Sequence, residues 1–509
     1  MKKFNKDKYL KKLKLKRFWQ NNSRYFYIGV PCILCGILGI YFAYSKFFVT
    51  QEDAVVQTSV GNFVYGDVII NNYVNGQYTV EAPARGTGYK VDKIVCNNGA
   101  VGEWSGKDWG PTITNVTRRS KCNIYFVDVK KINIGNVAVP LDDYGLCPTV
   151  NADGTVSVTE AEKQYGYLCK AKDAYGDSYY YRGNVTNNYV KFGEWQVQKY
   201  FGYDSDTSSY YHIYDSLEEC QNASYYNKKC AVGIDIGTPM YWRIIRINGD
   251  STVRVIYDGI SANGGRSEDK QIGTSIFNDF NSNNISPDDD NPIPPAVHLR
   301  GNDNAHVGYM YGKTGASTYA ETHANTNNST IKTYLDTWYE NNIKGTSNEQ
   351  YIKDNLFCND RSLSSSNSGT GVGISSTSYG MAGFNLKCPQ QNDAFTVSDT
   401  TNGNGALTYG VGLVTIDEVY LAGGWSSKNV NYYLYSGGFY WTMSPSGYHE
   451  RYAIEHYVSH DGGTICKEPA SMGGHGSVSV SSYGVRPVLN LSSDVLRNGN
   501  GTASDPYHA

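Results

Sequence analysis

Between Leu407 and Leu491 the chain changes its hydrophobic period three times, and a Gly or Pro marks each change. In LTYGVGLVTIDEVYLAGG, Leu413, Ile416, Val419 and Tyr420 recur at helical spacing. Thr415 stands where an N-cap belongs, and Gly423-Gly424 stop the helix. Gly438 to Met443 reads as a short buried aromatic strand that ends in a turn at Ser444-Pro445. Val485 to Leu491 is a second apolar strand, in which Pro487 is tolerable only at an edge or bulge. A helix and two strands so close together make one compact unit that closes a larger domain begun upstream.

The other end of the chain constrains topology. Residues 1–24 hold ten Lys and Arg against one acid, Asp7, and read as a cytoplasmic tail. Tyr25 to Tyr44 then runs for 20 residues without a charge, enough to cross a hydrocarbon core of about 30 Å. Tyr25, Tyr27, Tyr41, Tyr44 and Phe48 flank the run as interfacial aromatics, so the expectation is a transmembrane helix over 25–48 with the basic side inside. A cleaved signal peptide would end in a small-x-small site, and Phe42-Ala43-Tyr44-Ser45-Lys46 is a poor match for one. Cys32 and Cys35 inside the run read as small apolar residues at membrane depth.

Removing the tail from 45 basic and 48 acidic residues leaves 35 and 47, a net of about −12. No basic stripe remains to bind nucleic acid. The remainder is rich in Tyr (45 in the chain), Gly, Asn and Ser, which suits β-rich extracellular domains with polar loops. Residues 52–130 alternate apolar and polar in short runs (GNFVYGDVIINN, QYTVEA, YKVDKIVC, CNIYFVDV), the pattern of a small all-β spacer. Nine cysteines follow the uncharged run. Order and spacing suggest the pairs Cys96–Cys122, Cys147–Cys169, Cys220–Cys230 and Cys358–Cys388, leaving Cys466 over.

From residue 131 a larger domain runs to 509. Tyr241–Ile247 and Thr252–Tyr257 read as a hairpin whose Asn248-Gly249 dipeptide suits the positive φ of a type I′ turn. Thr330 to Tyr339 is an amphipathic helix with Ile331, Leu335 and Trp338 on its core face. Asp288-Asp289-Asp290 lacks the spaced ligand pattern of a calcium loop and reads as a solvated acidic turn.

Several motifs in this domain stand in a recognisable order: YYYRGNVTNNYVKF (179–192), YWRIIRINGDSTVRVIYDG (241–259), VGYMYG (307–312), FCNDRS (357–362), FNLKCPQ (384–390), GLVTIDEVYLAGG (412–424), WTMSP (441–445) and YGVRPVLNL (483–491). Together they make residues 140–500 resemble the formylglycine-generating-enzyme and C-type-lectin-like superfamily, in a branch found on the surfaces of gut bacteria. Likewise GTGYKVDKIVCNNGAVGEW and ITNVTRRSKCNIYF resemble a divergent internalin-type B-repeat, a β module that serves as a stalk. The resemblance implies an α+β chain: a transmembrane helix, a small all-β module, then a lectin-like or formylglycine-generating-enzyme-like domain. Residues 193–240, which carry Cys220 and Cys230, are an insertion outside the shared core.

Catalytic chemistry does not transfer with the resemblance. The oxidases of that superfamily hold copper on a cysteine pair near the C-terminal end, where this chain has only Cys466, and the three-histidine iron site of a related branch has no counterpart helix. No cofactor is expected. His456 and His460 lie four apart in AIEHYVSHDGG, which reads as strand then turn, so they stand about 13 Å apart at roughly 3.3 Å per residue, too far to share a metal. Asp417 and Glu418 are adjacent on a helix and point apart. In the fold the motifs resemble, the recognition face lies on loops before the last strand. Here that interval is 446–482, with Tyr448, His449, Glu450, Arg451, Tyr452, His456, Tyr457, His460 and Asp461, and with Trp425 as a stacking platform or a half-buried core residue; failing that interval, the recognition face is expected on the 193–240 insertion. Trp441 and Arg486 belong to the core.

The reading is a membrane-anchored surface protein that binds a glycan or protein ligand; the alternatives are an extracytoplasmic enzyme with an unrecognised site and a purely structural envelope protein. Protease added to intact cells is expected to remove the bulk of the chain. Digestion only after lysis would refute this topology.

Overall fold

The computed structural model describes residues 10–17, 64–65, 68–158, 163–204, 210–223, 228–265, 267–278, 304–314, 318–362, 383–425, 429–449, 452–462 and 478–509. They form two compact units, 1–82 with 93–125 and 83–92 with 126–509. The span expected at 25–48 and the thiol of Cys466 lie outside the described residues.

The class is mainly β, which corrects the α+β expectation of a transmembrane helix ahead of a lectin-like or formylglycine-generating-enzyme-like domain. Apart from residues 10–17, the α-helices of the described residues are Leu217–Asn222, Tyr319–Thr322, Thr330–Asn342 and Ile416–Ala422. None is long and apolar enough to cross a membrane. The physical reason is compositional: Tyr, Val, Ile and Thr favour the pleated backbone, and closely spaced Gly, Asn and Ser cut helical runs short.

In the first unit a sheet orders Val64–Tyr65, Val68–Val74, Ser120–Asp128 and Tyr89–Cys96, with Gln77–Thr79 paired to the second strand. Tyr73 stacks on Tyr125 at 5.1 Å, and the Cys96–Cys122 disulfide joins its two strands with Cα atoms 4.0 Å apart.

The second unit is built on a seven-stranded sheet. Its order is Gly166–Asp173, Gly176–Gly183, Pro239–Ile247, Val253–Gly259, Val488–Leu491 and Val411–Gly412, and Tyr189–Glu194 shares the Pro239–Ile247 edge. The pairs between these strands are antiparallel. The predicted hairpin is present, but not its turn. Positive φ falls on Ser251 (69°), and Gly249 serves a different need: its N–H donates to Asp173 at 3.0 Å, and a Cβ there would meet the Asp173 carboxylate at 2.7 Å. The strand Tyr440–His449 also runs straight through Ser444-Pro445, where a turn is expected, and Pro445 opposes Glu455 at a register shift.

Helix Ile416–Ala422 lies against this sheet and ends as its sequence predicts. Thr415 caps it in a reciprocal box with Glu418, and Gly423 leaves it at φ 118°, a left-handed conformation that suits a residue without Cβ. Glu418 does more than cap. Arg246 and Arg254 oppose each other across two strands, and both Nε atoms reach Glu418 Oε1, at 3.1 and 2.6 Å. Asp173 takes Arg246 Nη1 at 2.6 Å. Burial would raise the Glu418 carboxyl, but Arg254 and Arg246 outweigh it and hold the group below its ordinary range.

Four disulfides join the expected pairs, with Cα separations of 4.0, 5.5, 6.1 and 5.4 Å. Such a set fits a chain that folds in an oxidising compartment outside the cytoplasm. Trp441 and Arg486 are both enclosed as expected; Arg486 binds Tyr257 O, Leu434 O and Asp258.

Replacing Glu418 by Gln leaves the buried Arg254 without a carboxylate and Arg246 with Asp173 alone. Chemical denaturation is expected to show a loss of about 3–5 kcal/mol, and a loss under about 1 kcal/mol would refute the central role of this carboxylate.

Candidate functional site

The interval expected to recognise a ligand is a hairpin in its first part. Tyr440–His449 pairs with Tyr452–Val458, and His449 opposes Tyr452 at the tip. Tyr448, His449 and Tyr452 are placed there by backbone alone, and Glu450 and Arg451 lie outside the described residues. His456 does not face a ligand, which corrects its expected role: it is 2% exposed, and burial lowers its imidazole to about 4, keeping it neutral. Beside it Glu455 is fully enclosed, and burial raises its carboxyl well above the usual range. His460 is exposed, with its ring 4.8 Å from that of Phe439. Trp425 is half-buried and meets Tyr420 edge-on at 5.7 Å, so it shares in core packing. Among the described residues no three His, Cys, Asp or Glu are grouped to hold a metal ion.

A cleft of about 760 Å³ lies elsewhere, between the start of the insertion and helix Thr330–Asn342. The helix forms because Ser329 caps it, accepting from Lys332 N at 3.2 Å, while its own hydroxyl donates to Tyr309 O at 2.8 Å. Ile331, Leu335 and Trp338 turn inward, as predicted. The other side, at the spacing of three and four that places residues on one face, carries Thr330, Thr333, Thr337 and Asn341, and these line the cleft. Thr333 and Thr337 donate to their own helix, to Ser329 O and Thr333 O.

Aromatic and amide groups complete this wall. Tyr311, Tyr334 and Trp338 line the cleft with Asn328 and Asn341. Trp338 is 4% exposed and packs edge-on to Trp242 at 6.1 Å, yet its indole N–H has no partner among the described residues. A donor enclosed in this way costs about 1–3 kcal/mol unless water or a ligand satisfies it.

The insertion forms the facing wall. It is a three-stranded sheet of its own, ordered Tyr210–Tyr214, Lys199–Asp204 and Lys228–Ile234, with helix Leu217–Asn222 pinned by Cys220–Cys230. Asn342 joins the walls: its Oδ1 accepts from Gln196 N at 3.0 Å and its Nδ2 donates to Trp338 O at 2.9 Å. Lys199, with its side chain 8% exposed, pairs with Asp215, whose side chain is 60% exposed, and the ammonium also lies 5.6 Å from the Trp195 ring centre. The described lining holds no His or Cys, and its one carboxylate is this paired Asp215.

A second, far smaller cavity of about 30 Å³ is bordered by Asp417, Asp360, Glu418, Arg246 and Arg254. It has room for about one water. Asp417 and Glu418 do point to different partners, Asn385 N for the first and the arginines for the second. Burial, with Asp360 nearby, raises Asp417 to about 7 against the bond from Asn385 N. That perturbation belongs to a narrow, partly open space with room for about one water, at a half-buried side chain.

No protein-family model, curated protein or solved structure matches the chain.

The shift at Asp417 has a sign. The folded state keeps a proton that the unfolded chain releases near 3.8, so stability falls as pH rises from about 4 through 7. Asp417→Asn retains an acceptor for Asn385 N. Its melting temperature is expected to exceed that of the parent at pH 8 and to match it at pH 4, and equal gains at both would refute the assignment.

Proposed function

We propose that the chain is a ligand-binding protein displayed outside the cytoplasm, and that the cleft between the insertion and helix Thr330–Asn342 takes a neutral, hydroxyl-rich ligand of the glycan class. One observation carries this: the described lining sets two tyrosine rings and the indole N–H of Trp338 beside two amides, Asn328 and Asn341, whose groups are uncommitted. The side chains of Asn328 and Asn341 and the hydroxyl of Tyr311 have no protein partner among the described residues, and Trp338 adds a donor. An amide offers two donors and an acceptor, a phenol one of each, and flat rings accept the C–H faces of a sugar at little entropic cost. The volume lies within the range of small-ligand sites.

The enzyme alternative has less support. Among the described residues that line the cleft there is no nucleophile–base pair, and the perturbed Asp417 borders the far smaller cavity instead. Four disulfides favour display outside the cytoplasm, and the uncharged run Tyr25–Tyr44 behind a basic tail supports attachment to the membrane there.

A glycan array with the full chain tests the reading. The triple variant Asn328→Ala, Asn341→Ala, Tyr311→Ala is expected to lose binding about tenfold or more, near 1.4 kcal/mol, with melting temperature almost unchanged because these side chains are exposed or half-exposed. If Tyr448→Ala, Arg451→Ala, Tyr452→Ala abolishes binding instead, recognition lies at the hairpin tip.

A further inference from the structure

The position of Asp215 on the cleft wall is over-determined. It directly precedes Ser216, which caps helix Leu217–Asn222 by accepting from Glu219 N at 3.0 Å, and the Glu219 carboxylate in turn accepts from Asp215 N at 2.9 Å. The fully buried Cys220 ties this helix to Cys230, which lies opposite Gly202 on the strand that carries Lys199. One carboxylate oxygen of Asp215 meets the Lys199 ammonium. The other, Oδ2, accepts no hydrogen bond from the described residues, and the side chain is 60% exposed. A fixed carboxylate with a free oxygen, on a wall whose one lysine is already paired with its other oxygen, is a placed acceptor.

Its field reaches across the cleft. The Tyr334 phenol on the helix wall is held above its ordinary range, first by burial and then by the charges of Asp215 and Glu219. No described cation of the lining is left to balance an incoming anion.

We infer that Asp215 is the anchoring and specificity-determining group of the cleft, accepting hydrogen bonds from adjacent hydroxyls of a neutral saccharide and turning away sialylated or sulfated ones. This rests on the glycan reading of the cleft. An ionised carboxylate accepts only, and its bonds from hydroxyls are among the shorter and stronger ones. Against a ligand acid the same charge is repulsive, which makes the rejection an element of specificity in its own right.

The test uses the full chain on an array that prints each neutral oligosaccharide beside its sialylated or sulfated form, with Asp215→Asn and Asn341→Ala in parallel. Asp215→Asn keeps an acceptor for Lys199. It is expected to bind neutral members about tenfold less and to bring the neutral-to-anionic ratio close to one. Asn341→Ala is expected to weaken neutral binding and leave the ratio alone. For the parent protein, raising the salt from about 0.05 to 0.5 M is expected to narrow the ratio, since screening weakens rejection by an exposed charge; this arm stands even if a variant does not fold. A parent that binds no glycan overturns the glycan reading of the cleft and this inference with it. A parent that prefers anionic members, a ratio insensitive to salt, or an Asp215→Asn variant with unchanged affinity and ratio overturns the role of Asp215 and leaves the cleft standing.

Discussion

Two guanidinium groups lie opposite each other on neighbouring strands, and left to themselves they would drive those strands apart. Arg246 and Arg254 are nearly inaccessible, so water cannot screen them. Glu418 answers both, and because it is also the third residue of helix Ile416–Ala422 it binds that helix to the sheet. The other end of the helix is held in the same way: Arg182, equally enclosed, donates to Tyr420 O and Leu421 O at 2.8 Å each. An acid at the N-terminus and a cation at the C-terminus both complement the helix dipole. The helix is therefore placed by charge at each end, and the apolar packing of Val419 and Leu421 fills in between.

The floor of the cleft depends on that fixed sheet. Trp338 rests edge-on against Trp242, which rests edge-on against Tyr257 at 5.5 Å, so the binding helix stands on aromatic rings rooted in two central strands. Residues of the motifs that carry the resemblance act here as rivets. Asn359 of FCNDRS donates to Val307 O and Met443 O and accepts from Tyr309 N, and Arg361 clamps Asp393, Met310 O and Asn325. Each satisfies backbone groups that irregular chain would otherwise leave buried and unpaired.

What could be read from the residues was what local rules govern. The Thr415 cap and Gly423 stop, the inward Ile331, Leu335 and Trp338, and the four cysteine pairs each depend on a few neighbouring positions or on simple order along the chain. The failures are tertiary. Gly249 invited a turn explanation because nothing in the sequence announces how closely Asp173 approaches it. Ser444-Pro445 suggested a stop, whereas the strand absorbs the proline at a register shift. His456 seemed available because its neighbours are polar, yet the hairpin turns it inward. The cleft as a whole was not legible, although the insertion stood as the second place for a recognition face, because its walls come from positions 196–215 and 311–342, which no periodicity links. The one signal was the Thr and Asn face of Thr330–Asn342, which is polar and regular but short of charge, unlike an ordinary solvated helix face.

The order of strands in the large sheet has a further consequence for how the molecule comes to exist. Val253–Gly259 pairs on one side with a strand just before it in sequence and on the other with Val488–Leu491, so that Val253 meets Leu491 only after the whole intervening chain has been made. A ribosome delivers these partners far apart in time. Until the second arrives, a central strand is left as an open edge, the kind of surface that invites pairing with other chains. The insertion has no such wait, since its three strands and its ten-residue disulfide loop are complete within themselves. One wall of the cleft can thus be finished while the sheet beneath the other is still open, and a nascent molecule passes through a stage in which its recognition surface is half assembled and its core is not yet closed.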